Sequence, residues 1–101
     1  MIKLSVTFEK VGNVSKEKFT KENEKILLTI ESLANEKVSN VKIKNFTKET
    51  SFDWDDEIEE FSLQMTKFTF EYNITNENFT KVKIFLDLLL EMDVEFTYET
   101  K

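Results

Sequence analysis

The chain has no cysteine, histidine, proline or arginine, and glycine and alanine occur once each. Without cysteine there is no disulfide framework, no thiolate nucleophile and no Cys-held iron–sulfur or zinc centre. Without histidine the side chain that most often exchanges protons near neutral pH is missing. Without arginine the planar fork that usually reads phosphate and guanine is missing too. No apolar run is long enough for a signal peptide or a membrane span, so a soluble cytoplasmic protein is the expectation. The four Asn-x-Ser/Thr sequons, at Asn13, Asn45, Asn73 and Asn78, are then read as a by-product of Asn- and Thr-rich composition. That composition, with abundant Lys, Glu, Ile and Phe, suits an AT-rich coding sequence such as that of a low-GC bacterium or its phages.

At 101 residues the chain is expected to form one domain, residues 1–101, large enough to bury a core without staples. Two of its stretches are nearly the same text. Asn13 to Lys21 reads NVSKEKFTK and Asn73 to Lys81 reads NITNENFTK. The Asn, Glu, Phe, Thr and Lys positions are identical. Each copy follows a strand-like run containing Thr-Phe-Glu and opens a helix-like run. The repeated unit is therefore strand, turn, helix.

In the first copy Ile2, Leu4, Val6 and Phe8 alternate with polar residues, as in a strand with one solvated face. Gly12 marks the turn. Ser15 has the character of an N-cap, with Val14 and Phe19 spaced as a hydrophobic staple. Phe19, Ile26, Leu27, Ile30, Leu33 and Ala34 recur at helical spacing, which predicts one helix over Lys16–Lys37. In the second copy Phe68, Phe70 and Tyr72 form the strand, Thr75 the cap, and Ile74 with Phe79 the staple. The helix that follows holds more apolar residues than one stripe needs, so some should reach a second surface such as the neighbouring helix. After Asp93, the alternation of Val94, Phe96 and Tyr98 predicts a last strand.

Between the copies lies a long hairpin whose apolar phase changes. Val41 and Ile43 are odd, then Phe46, Phe52 and Trp54 are even. On the returning strand Phe61, Leu63 and Met65 are odd, then Phe68, Phe70 and Tyr72 are even. Because a one-residue slip sends every side chain to the other face, each strand needs a bulge, or its two halves serve different faces. The order βαββαβ with right-handed crossovers gives an α+β fold: a four-stranded antiparallel sheet of order 4-1-3-2 with two helices on one face. By topology over the whole chain it resembles the ferredoxin-like architecture.

The net charge of −6 is concentrated. No basic residue lies between Lys48 and Lys67, but seven acids do: Glu49, Asp53, Asp55, Asp56, Glu57, Glu59 and Glu60. Such a patch repels phosphate and attracts basic surfaces, so direct nucleic-acid binding is not expected. An RNA-recognition sheet would carry aromatics on its open face; here those positions are Lys3, Ser5, Thr7, Lys67, Thr69 and Glu71. No catalytic motif, cofactor motif or metal-ligand spacing appears, and the Asp-Trp-Asp-Asp-Glu run lacks the glycine and alternation of an EF-hand loop. The expectation is a protein that is not an enzyme and needs no cofactor.

Phe52, Trp54, Ile58 and Phe61 sit within the acidic run, where a merely solvated loop would not need them. Either these rings fold back to cap the core, or they line a protruding ribbon with an acidic rim. The second reading makes Phe52, Asp53, Trp54, Asp55, Asp56, Glu57, Glu59 and Glu60 a contact surface for a basic, nucleic-acid-handling protein. A phage- or mobile-element-encoded inhibitor of anti-CRISPR or anti-restriction type is its most concrete form. The rival is a self-associating structural or regulatory domain, monomer and homodimer both being compatible with the sequence. It would pair through Phe61, Leu63 and Met65 if no bulge intervenes.

Overall fold

The computed structural model describes residues 1–101 as an α+β fold. One open antiparallel sheet contains β1 (Ile2–Val11), β2 (Asn40–Trp54), β3 (Glu57–Ile74) and β4 (Thr97–Thr100) in the order β2-β3-β1-β4. This is the expected 4-1-3-2 order read from the other edge. Three helices accompany it: α1 (Lys16–Glu22), α2 (Glu24–Ala34) and α3 (Asn76–Glu91).

The even-numbered residues of β1 and β3 form the buried face. Leu4, Val6, Phe8, Phe68, Phe70, Tyr72 and Ile74 cluster with Phe19, Leu27, Ile30 and Ala34 from α1 and α2, and with Val82, Leu86 and Leu89 from α3. Period-two alternation in the strands and 3.6-residue periodicity in the helices thus meet in a single core layer. At its centre the Phe19 ring stacks on Phe68 at 4.3 Å and lies 5.4 Å from Phe8 and 5.7 Å from Phe70.

Both repeats begin their helices as the sequence predicts. The Ser15 hydroxyl accepts from the Lys18 N–H, and the Thr75 hydroxyl accepts from the Asn78 N–H, each at 3.2 Å. These caps satisfy amide groups that the first helical turn leaves free. Gly12 turns the chain between β1 and α1 at φ 93°, a conformation that side chains with a Cβ resist.

Three expectations are corrected. The single helix over Lys16–Lys37 is two segments that meet at Asn23, which makes three helices in place of two. The Asn23 side-chain amide donates to Phe19 O at 2.9 Å, alongside its own backbone N–H at 3.0 Å. This side-chain competition for a helical carbonyl distorts the turn. The second segment also stops early, at Ala34, because Asn35 takes the left-handed conformation and Glu36 N–H bonds back to Glu31 O. The last strand starts at Thr97, not Val94: Val94 and Phe96 pack on the core from the loop that precedes it. The apolar residues of α3 do reach the neighbouring helix, since α3 packs on α2, while Ile84, Leu88, Leu90 and Met92 stay exposed.

The hairpin has no bulge. β2 and β3 pair without interruption from Asn40↔Glu71 to Trp54↔Glu57. The change of apolar phase is therefore a change of face. Val41 and Ile43 share the helix-side face with their partners Phe70 and Phe68. Phe46, Phe52 and Trp54 share the opposite face with Met65, Leu63 and Phe61.

The two repeats are unequal in the core, Phe19 being fully buried and Phe79 only partly so. Phe19→Ala should cost about 3–5 kcal/mol of stability and Phe79→Ala about 1–2 kcal/mol. Urea denaturation of the two variants measures the difference; equal losses would contradict the packing described.

Candidate functional site

The candidate site is the part of the hairpin that outruns the sheet. β1 ends at Val11, opposite Met65, and Gly12 N–H closes the corner on Gln64 O at 2.6 Å. Beyond that point β2 and β3 continue alone as a two-stranded arm. It contributes to a molecule 51 Å long but only 26 by 24 Å across.

Thr66 stands at the base of the arm with no exposed surface. Its hydroxyl donates to Gly12 O at 2.6 Å, accepts from Val14 N–H at 3.1 Å, and lies 3.1 Å from Asn45 Oδ1. One side chain thereby ties β3, at the base of the arm, to the turn that leads into α1. From this row outward the helix-side face turns polar, carrying Thr47, Gln64, Glu49, Ser62, Ser51 and Glu60. The opposite face turns apolar.

Each strand end is set by the turn. Asp55 and Asp56 both have positive φ, 46° and 70°, and connect Trp54 to its partner Glu57. Two consecutive left-handed residues make the tight hairpin loop whose twist matches that of the flanking strands. Short carboxylate side chains tolerate this conformation better than most.

The acidic residues Asp53, Asp55, Asp56, Glu57, Glu59 and Glu60 are all exposed. Phe52 is 52% exposed and Trp54 62%. The rings do not fold back on the core. Phe52 instead stacks on Phe61 across the arm at 5.1 Å and 10°, and Lys67 Nζ lies 5.6 Å above the Phe46 ring. The acids divide by position: Glu49, Asp53 and Glu60 project from the helix side, Glu57 and Glu59 from the aromatic side, and Asp55 and Asp56 from the turn. No three carboxylates come together as a metal-holding group. The eight residues singled out in the sequence therefore share one end of the molecule, but not one surface.

Elsewhere the open face of the body holds a cluster that sequence reasoning missed. Glu71 on β3 is almost fully covered. It pairs with Lys3 of β1 at 2.7 Å and with Lys42 of β2 at 3.3 Å, and it accepts from the Asn40 amide at 3.0 Å. Its backbone carbonyl also accepts from Ser39, through N–H and hydroxyl. The hydrogen bond from Lys3 is the main reason its carboxyl is held down at about 2, although burial pushes the other way. The signal in the sequence was an acid at an inner-strand position with lysines on both neighbouring strands. It could not be used without the register.

On the helix side a cleft of about 620 Å³ lies between α1, α2 and β2. Leu27, Leu28, Val38 and Val41 line it. The Tyr72 phenol on its floor is kept protonated by burial and by the charge of Glu31. No protein-family model matches the chain, and no curated protein matches it.

The Glu71 cluster sets an acid limit on the fold. Its carboxyl titrates lower when folded than its ordinary 4.5, so on acidification the unfolded chain takes up the proton first. The stability it confers is complete above pH 4.5 and is lost as pH falls toward about 2. Thermal melts across that range should show Glu71→Gln already destabilised at neutral pH and with a flatter acid decline than the parent. Parallel declines would remove Glu71 as the cause.

Proposed function

We propose that this protein is a non-enzymatic binding module that docks its β2–β3 arm on a basic protein surface. The observation that carries the reading is the arm's own make-up: seven acids with no lysine between Lys48 and Lys67, an exposed tryptophan, and no body strand paired with it beyond Met65. An isolated two-stranded ribbon is only marginally stable in water. One that keeps large rings exposed is better suited to being covered by a partner than to standing free. Trp54 is the anchor in this reading. The acids of the turn and rim, Asp53, Asp55, Asp56, Glu57, Glu59 and Glu60, steer the encounter and fix orientation, with Phe52 beside them.

The partner is a protein whose basic groove handles nucleic acid, because rows of carboxylates compete with phosphates for the same lysines and arginines. Inhibition of a nuclease or restriction complex, of the anti-CRISPR or anti-restriction type, is the form of activity that fits a small acidic chain of this composition. The scaffold is of ferredoxin-like type, with α1 and α2 acting as the single first helix of a βαββαβ order. In that scaffold the long β2–β3 hairpin is the one segment outside the internal repeat.

Capture from a lysate of the native host, repeated at low and high salt, tests the reading. The parent should retain a basic protein at low salt and lose it at high salt. Asp55→Lys/Asp56→Lys and Trp54→Ala should each weaken capture at least about tenfold, on the scale of hot-spot losses. Undiminished capture by both variants would exclude the arm as the contact surface.

A further inference from the structure

The aromatic face of the arm is continuous with the open face of the body, and the charges along it are ordered. Pairs across β2 and β3 define the rows. Lys44 and Lys67 form the row nearest the body, and Phe46 with Met65 comes next. Lys48 with Leu63 and Thr50 with Phe61 make the middle. Phe52 with Glu59, and then Trp54 with Glu57, complete the outer end. One end is basic, the centre is apolar on β3 with Lys48 and Thr50 beside it on β2, and the other end is acidic.

A surface with that order is complementary to itself when reversed. A two-fold axis across the strands between the Leu63 and Phe61 rows lays each row on its mirror in a second copy. Leu63 then faces Phe61, Phe46 faces Phe52, Lys48 faces Thr50, and Met65 faces Glu59. Lys67 faces Glu57, and Lys44 faces the Trp54 ring. Every contact occurs twice, as an isologous interface requires. The acids that would repel in such a pair are placed away from it, since Glu49, Asp53 and Glu60 lie on the other side of the arm. Neither Lys44 nor Glu57 has an ion-pair partner within the chain, and Lys67 has only a 4.0 Å contact with half-exposed Glu9.

We infer that the aromatic face binds a second copy of this chain, strand against strand in reverse direction, as a two-fold dimer. The inference goes beyond the docking reading and does not depend on it. Because Trp54 lies in both contacts, a docked basic partner and a second copy exclude each other. The free protein is the paired form.

Two charge-reversed variants test the geometry. Lys44→Glu/Lys67→Glu makes both ends of the face acidic and leaves Lys48 as the one lysine in its rows, and Glu57→Lys/Glu59→Lys makes both ends basic. Circular dichroism first establishes that each variant folds. Light scattering at micromolar concentration should give the parent twice its chain mass of 12.0 kDa. Each variant alone should run at 12.0 kDa, with association weakened at least about tenfold by facing like charges. An equimolar mixture should recover the doubled mass, because the acidic face of one then meets the basic face of the other. A parent that stays monomeric overturns the inference and leaves the strip to a different partner. A doubled mass in each variant alone, or a mixture that remains monomeric, overturns the reversed two-fold arrangement.

Discussion

A strand's side chains alternate between two faces, and an antiparallel pair without an extra residue cannot change that alternation. The rest of this structure follows from that constraint acting on a sequence whose apolar phase does change. Within the body, even residues of β1 and β3 face the helices and build the core around Phe19. Past Thr66 the apolar residues of β2 and β3 keep unbroken register, and so all but Ile58 at the tip leave the helix side. Thr66 is the fixed point of the exchange. Its buried hydroxyl bonds the turn at Gly12 and the start of the α1 cap at Val14. The body therefore ends in the same row in which the arm begins.

Two kinds of polar chemistry follow from this division. In the body, the open face is held by a cluster in which partly exposed Lys3, Lys42 and Asn40 converge on the covered Glu71 from the neighbouring strands. Those charges are matched internally. On the arm, the acids are exposed and lack internal ion pairs. Exposed charges of this sort contribute little to stability, but they shape the field that an approaching surface meets. The internally paired charges of the body and the unpaired charges of the arm are thus spatially separate.

Much of the architecture was legible in the residues. The caps at Ser15 and Thr75, the core positions of both repeats and the strand order all follow from spacing and from the handedness of crossovers. The kink at Asn23 was not legible, because an asparagine on a helix either points to solvent or bonds back to a carbonyl, and spacing does not distinguish the two. The short β4 was hidden for a related reason. Val94 and Phe96 alternate like strand residues, but they satisfy the same pattern by packing on the core from a loop. The aromatic run could be found in the sequence, and so could the two ways of accommodating its phase. Choosing between them needed the register, because a single inserted residue would have turned Phe46 and Phe52 back toward the helices. The Glu71 cluster draws on residues up to 68 positions apart and likewise appears only when the strands are aligned.

Cross-strand backbone NOEs between β2 and β3 in solution test this account most directly. They should follow a single register linking Ile43 to Phe68, Phe46 to Met65 and Thr50 to Phe61. A slip of one residue near Asn45, setting Phe46 opposite Thr66, would return Phe46, Phe52 and Trp54 to the helix side and contradict the account.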